Sequence, residues 1–165
     1  MVGKKFPDIS VNAMNEMGDT FKINVLQEAL ENKKKIILFW YPKDFTFVCP
    51  TEIHAFQSKL SEFEKRNTMV IGASCDTPEV HFAWLSTPKD NGGIEGVTFP
   101  LIADSTRHLS ETLDILDTEY VGTEENYSIE GDNVSYRATF LIDEEGTIFH
   151  ESVNVMPLGR NVDEY

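Results

Sequence analysis

IILFWYPKDFTFVCPTEIHAF, Ile36 to Phe56, is the stretch on which the reading of the whole chain turns. Its first six residues, Ile36 to Tyr41, are uninterrupted apolar side chains ended by Pro42, the pattern of a strand buried on both faces. From Thr51 onward the apolar positions Ile53, Phe56, Leu60 and Phe63 recur at helical spacing, with Gln57, Lys59, Glu62 and Glu64 between them. A central strand therefore runs through a short loop into a helix, and that loop carries Cys49.

Outward from this unit the pattern repeats. Met69 to Ala73 reads as a second buried strand, and Thr77-Pro78 as an N-cap with proline at the first helical position, opening PEVHFAWLS. Val97 to Ile102 and Val134 to Ile142 supply two further strands, and Glu144-Glu145-Gly146 turns the chain into a last one, Thr147 to Val155. Alternating strands and helices imply an α/β sheet with helices on both faces. TPKDNGGIEG, Thr87 to Gly96, and the acidic DTEYVGTEENYSIEGD, Asp117 to Asp132, have loop composition, and neither marks a domain boundary.

At 165 residues the chain is read as a single domain spanning 1–165. Near its end Asn161 is a good N-cap, Val162 and Asp163 suit a first turn, and Glu164 stands three residues after the cap, so a helix is announced just where the sequence stops at Tyr165. A C-terminal helix and tail are expected beyond that point.

Charge and composition exclude several classes. With 14 basic against 28 acidic side chains the net charge is -14, which argues against nucleic acid and anionic membranes as partners. No stretch approaches the roughly 18 apolar residues of a membrane span, and no targeting signal is visible. Two cysteines, not spaced as C-x-x-C, suit reduced thiols in a cytoplasmic setting rather than a disulfide scaffold. The four histidines, His54, His81, His108 and His150, are dispersed, so no metal site is expected and all four are read as surface or partly packed residues. Phe82 and Trp84 are read as core aromatics.

Cys49 is the candidate for chemistry. A loop at the carboxyl edge of an α/β sheet is where such folds place their ligands. Pro50, lacking an amide hydrogen, suits the first turn of the helix, which sets Cys49 against free N–H groups and the positive dipole end. Such a place lowers a thiol's pKa, and the thiolate is the nucleophile. A lone cysteine is ordinarily a small buried hydrophobe; the position between strand end and proline-opened helix shifts that balance. Thr46, one turn earlier, offers a hydroxyl that donates and accepts, and Pro42 stiffens the loop. Each of those two alone is ordinary loop chemistry.

YPKDFTFVCPTE resembles the active-site stretch of the typical 2-Cys peroxiredoxins, including the peroxidase subunit of bacterial alkyl hydroperoxide reductase. The family pattern P-x-x-x-T-x-x-C is met by Pro42, Thr46 and Cys49, and HFAWLSTPKDNGG, FPLIAD, YRATFLID and PLGRNVDEY extend the likeness over nearly the whole chain. The resemblance implies a thioredoxin-like fold of the peroxiredoxin type, with a central mixed sheet. It implies a thiol peroxidase that reduces hydrogen peroxide and alkyl hydroperoxides with Cys49 as peroxidatic cysteine, through a sulfenic acid and without cofactor or metal.

By the same resemblance Arg137 stabilises the thiolate and orients the peroxide, and Glu52 and Arg160 hold that arginine in place. Strand alternation alone groups Arg137 with Thr139 and Leu141 and reads it as solvated. The family's second, resolving cysteine stands in a C-terminal V-C-P stretch not found among these residues; Cys75, which also ends a strand before a helix, is the minority candidate. The resemblance further implies a homodimer paired through the edge strand Thr147 to Val155, a ring of ten, and a thioredoxin-like or flavoprotein disulfide reductant. A role as redox relay or holdase chaperone is the alternative. A thioredoxin-like disulfide oxidoreductase is disfavoured, because the second cysteine two residues after the first is lacking.

Overall fold

The apolar run after residue 35 forms β3, Lys35–Trp40, whose last five residues are buried. A computed structural model of the chain describes residues 1–45, 48–131, 133–154, 162 and 165, without the side chains of residues 48, 49, 119, 120, 127, 129 and 130. Thr46 and Arg160 lie outside the described residues, as do Asn161, Asp163 and Glu164 of the expected last helix.

In chain order the elements are β1 (Ser10–Met14), β2 (Thr20–Asn24), α1 (Val25–Asn32), β3, α2 (Val48–Ser58), α3 (Leu60–Lys65), β4 (Thr68–Ser74) and α4 (Pro78–Leu85). Then come a 3-10 turn (Lys89–Asn91), β5 (Leu101–Ala103), α5 (His108–Thr112), β6 (Glu119–Thr123), β7 (Asn126–Glu130), β8 (Arg137–Ile142) and β9 (Ile148–Asn154). Among the described residues seven strands join in the order β2-β1-β5-β4-β3-β8-β9. The β3–β4 and β4–β5 pairs are parallel and the outer pairs antiparallel, so the sheet is mixed, as expected.

Two apolar layers hold helices to its two faces. Val25 and Ala29 of α1 and Leu109 of α5 pack with Ile36, Leu38 and Trp40 on one face. Ile53, Phe56, Phe63 and Trp84 of α2, α3 and α4 pack with Ile37, Phe39 and Tyr41 on the other. Phe39 stacks on Phe56 with ring centroids 4.1 Å apart and planes 13° from parallel. Burying one such ring is worth about 1.5–3 kcal/mol and the stacking about 0.5–1.5 more, so this pair pins α2 to the central strand. No helix of the described residues is long and apolar enough to cross a membrane.

Several expectations need correction. The acidic segment 117–132 is not a loop: β6 and β7 pair antiparallel as a separate hairpin, with Thr123 opposite Asn126. The Asn126 N–H donates to the Thr123 hydroxyl across a turn of two glutamates. Tyr, Val, Thr and Ile carry enough β preference to pair despite the acidic composition. The strand expected over Val97 to Ile102 is only Leu101–Ala103, because Pro100 has no N–H to give to a ladder. The strand expected from Val134 starts at Arg137, since Ser135 bridges to Leu116 and Tyr136 N–H donates to the Ile115 carbonyl instead. The segment 87–96 contains one 3-10 turn, and the helix after Thr51 is interrupted at Lys59.

Phe82 is not a core residue; it is half exposed, and it covers Gly18, where a Cβ would stand 2.6 Å from its ring. Trp84 is fully buried, as expected, and so, contrary to expectation, is His81.

Candidate active site

Helix α2 opens at Val48, so Cys49 is its second residue and Pro50 its third. The first N–H groups of a helix have no intrahelical acceptor, and their dipoles add at that end. Cys49 thus stands where a thiolate is favoured, on the helix that leaves the carboxyl end of the central strand. Pro42 is buried in the connecting loop.

One turn along α2 from Cys49 is Glu52, and its Oε2 accepts from Arg137 Nη1 at 3.4 Å. Arg137 opens β8, and both side chains are only 5 % exposed. The arginine expected on alternation to be solvated is therefore buried. The reason is topological: β8 lies between β3 and β9, and Ala138, Thr139 and Phe140 are all buried, so both faces of the strand are covered and alternation no longer separates inside from outside. A buried guanidinium beside a carboxylate keeps its fork of donors fixed. Positions 49 and 52 are neighbours on the helix surface.

Beneath the loop from β3 to α2 lies a polar network that the sequence reading missed. Tyr41 Oη donates to Asp44 Oδ1 at 2.7 Å, and Asp44 Oδ2 lies 2.7 Å from His81 Nδ1. His81 Nε2–H donates to the Ile102 carbonyl at 2.9 Å. The Asp44 N–H and the Ser74 hydroxyl both donate to Asp76 Oδ2, at 2.8 and 2.7 Å. Burial pushes the Asp44 carboxyl up, only partly offset by its His81 bond. For His81 burial pulls downward, but the bond to and charge of Asp44 outweigh it, and the imidazole is raised. Tyr41, desolvated and beside Asp44, is raised well above an ordinary phenol.

His81 was expected as a surface or partly packed residue outside any metal site. Ligand atoms of Asp44, Asp76 and His81 instead come within 4.8 Å of one another, close enough to resemble a metal cluster. Hydrogen bonds engage each of these groups. One signal was available: His81 and the core residue Trp84 are three positions apart on α4, hence on one face.

Cys75 follows β4, 5 % exposed, its Sγ 3.6 Å from Ser110 Oγ of α5. Burial pushes its thiol up, the Ser110 bond opposing. Its hydroxyl partner belongs to the face covered by α1 and α5, whereas α2 covers the opposite face. Beside the first turns of α2 runs an open groove of about 520 Å³, lined by Pro50, Thr51, His54, Ala55 and Lys89 among others. There His54 Nε2–H donates to the Gly93 carbonyl at 3.1 Å, tying α2 to the glycine loop.

A cysteine in the first turn of a helix behind the central strand, with a buried arginine held one turn away, defines the class of thiol-based redox enzymes. Comparison with known proteins narrows it. Residues 2–151 match the AhpC/TSA family. Over 164 residues the chain is 40% identical to the chloroplastic 2-Cys peroxiredoxin BAS1 of Hordeum vulgare, covering 99% of this chain and 71% of that one. It is 41% identical over 167 residues to alkyl hydroperoxide reductase C of Helicobacter pylori, covering 99% of this chain and 76% of the relative. Against the chloroplastic BAS1 of Spinacia oleracea, at 41% identity, it spans 56% of the relative's length. Among solved structures, the reduced 2-Cys peroxiredoxin of Plasmodium vivax superposes with a TM-score of 0.85 at 36% identity, covering 99% of this chain and 77% of that one. The chain belongs to the AhpC/TSA family, and its mixed sheet with helices on both faces is the thioredoxin-like fold of peroxiredoxins.

Proposed function

We propose that this chain is a thiol peroxidase whose substrates are hydrogen peroxide and organic hydroperoxides. The observation that carries the reading is Cys49 in the first turn of α2, with the Glu52–Arg137 pair one turn along. The Cys49 thiolate attacks the terminal peroxide oxygen; the S–O bond forms as the O–O bond breaks, and the departing alkoxide or hydroxide takes up a proton. Sulfur is oxidised by two electrons to a sulfenic acid and the peroxide is reduced to alcohol or water. Arg137, the Thr46 hydroxyl and the helix N–H groups stabilise the negative charge that shifts onto the leaving oxygen, with Glu52 and Arg160 orienting the arginine. A resolving thiol then condenses with the sulfenic acid, expelling water, and the disulfide is returned to thiols by a dithiol protein of thioredoxin type or a flavoprotein disulfide reductase.

Cys75 suits this resolving role poorly, because its thiol is buried with a raised pKa and bonded to α5. Assembly into homodimers is supported by β9, an outer strand of the sheet on which Phe149 and Val153 are about half exposed. Joining of dimers into a ring of ten is supported by the exposed Phe45 and Phe82. A cytoplasmic location is supported by the free Cys75 thiol.

Intact mass of the reduced chain before and after one equivalent of hydrogen peroxide, with peptide mapping, tests the reading. One oxygen added on Cys49 is the expected result. A chain left unmodified, or modified first at Cys75, sinks it. A Cys49–Cys75 disulfide would make Cys75 the resolving residue after all.

A further inference from the structure

Between Trp40, the end of β3, and Val48, the start of α2, stand seven residues, of which 41–45 are described. In that loop Pro42 and Asp44 are buried, while Lys43 and Phe45 are exposed. Phe45 takes a left-handed φ of 59°, a conformation unfavourable for an aromatic residue unless its neighbours enforce it. Asp44 is the neighbour placed to do so. Its Oδ1 accepts from Tyr41, its backbone N–H donates to Asp76, and its Oδ2 faces His81 Nδ1 at 2.7 Å. His81 in turn is anchored at its far nitrogen by the Ile102 carbonyl of β5. The imidazole thus ties the loop to α4 and the sheet at once, and it is completely buried.

We propose that His81 is a positioning residue of the peroxidatic site, acting through Asp44 to hold the loop that sets the first turn of α2 and Cys49. The inference rests on the peroxidase reading above. Because Nε2–H is committed to Ile102, the 2.7 Å contact at Nδ1 requires one proton between imidazole and carboxylate. Either an imidazolium donates to a carboxylate or a neutral imidazole accepts from a carboxylic acid. Loss of that proton sets a lone pair against a buried carboxylate oxygen and releases the anchor. The groups facing the pair are Tyr41 from the end of β3, Asp76 from the β4–α4 loop and the Ile102 carbonyl from β5. None of these described groups is cationic and able to take over the proton's role.

The test compares His81→Ala, His81→Asn and Asp44→Asn with the wild type. Three quantities are read on the folded fraction of each: the rate of Cys49 oxidation by hydrogen peroxide, its pH profile, and the Cys49 pKa from the pH dependence of iodoacetamide alkylation. His81→Ala is expected to slow oxidation about tenfold or more and to raise the thiol pKa, as misplacement of reacting groups does. His81→Asn, whose amide can donate from the place of Nδ1 at every pH, is expected to recover most of the rate and to lose the alkaline decline of the wild type. Asp44→Asn, similar in shape but uncharged, is expected to slow oxidation about threefold.

Equal rates and profiles across folded variants would mean that the network only stabilises the fold, and would overturn the proposal. So would an asparagine variant no better than alanine. Should His81→Ala fail to fold, the two asparagine variants decide the matter on the same readouts. A wild type inert to peroxide at Cys49 would instead sink the peroxidase reading itself.

Discussion

The two cysteines occupy equivalent places in the topology and opposite chemical environments. Cys49 follows β3 as the second residue of α2, Cys75 lies between β4 and α4, and β3 and β4 are adjacent parallel strands. Both therefore sit at the carboxyl edge of the sheet, the edge where α/β proteins gather their ligands. They part within a few residues. Cys49 has already entered its helix, one turn from Glu52, which bonds a buried guanidinium. Cys75 stops short of its helix, three residues before Pro78, and its thiol is turned into the opposite layer against Ser110, with Asp104 nearby raising its pKa further. Topology nominates both positions, and burial counts against Cys75.

The largest expected effect breaks that comparison outright. Cys49→Ser should abolish peroxide consumption, while Cys75→Ser should leave the rate of the first oxidation within about twofold, because its sulfur takes no part in that step. Stopped-flow oxidation of the two variants with hydrogen peroxide checks this; a Cys75→Ser protein slowed as severely as Cys49→Ser would show that the two edges of the sheet are not chemically distinct.

Next in size is the guanidinium that separates the two environments. Arg137→Lys keeps the charge but loses the planar fork that bonds Glu52, and should lower the oxidation rate about a hundredfold. The thiol pKa should rise as the fixed donors are lost. A lysine variant with wild-type rate and thiol pKa would mean that charge alone, or the helix terminus alone, activates Cys49.

What could be read from the sequence follows the range of the interactions. β3, α2, β4 and α4 were legible because each is written locally: an apolar run, a 3.6-residue period, or Thr77 capping with its hydroxyl accepting from Val80 N–H ahead of Pro78. The hairpin of β1 and β2 and the helix α1 carried local signals that went unread, including Asn24, whose side chain accepts from Gln27 N–H as an N-cap. The β6–β7 hairpin was hidden by its acidic composition, and the late start of β5 by Pro100, whose missing N–H the expected strand left out of account. The place of Cys49 at the opening of α2, behind Pro42 in the loop, could be read from the stretch itself, whereas Glu52 came only with the family resemblance. The burial of Arg137 and the meeting of Asp44 with His81, 37 positions away, depend on which strands become neighbours, and no local pattern records that.

The smallest effect expected sharpens the comparison from the side of Cys75. Its thiol is raised by burial, so in the folded chain it stays protonated at pH values where the unfolded chain, with an ordinary thiol pKa of about 8.5, has begun to release the proton. The unfolded state then binds fewer protons than the folded one, and stability must fall as pH rises. The contribution is fully present below about 8.5 and is lost as pH climbs toward the raised value in the fold, with a slope of at most about 1.4 kcal/mol per pH unit for a single thiol. His81, also raised, adds a loss of the same sign that starts lower, from about 6.5 upward. Comparing wild type with Cys75→Ala isolates the thiol, because the His81 contribution is common to both. Denaturant midpoints from pH 7 to 10 should fall less steeply for the alanine variant above about 8.5, even though its stability at pH 7 is lower by the lost packing and the Ser110 bond. Parallel curves would show that Cys75 ionises as freely in the fold as outside it, and the contrast between the two cysteines would then rest on Cys49 alone.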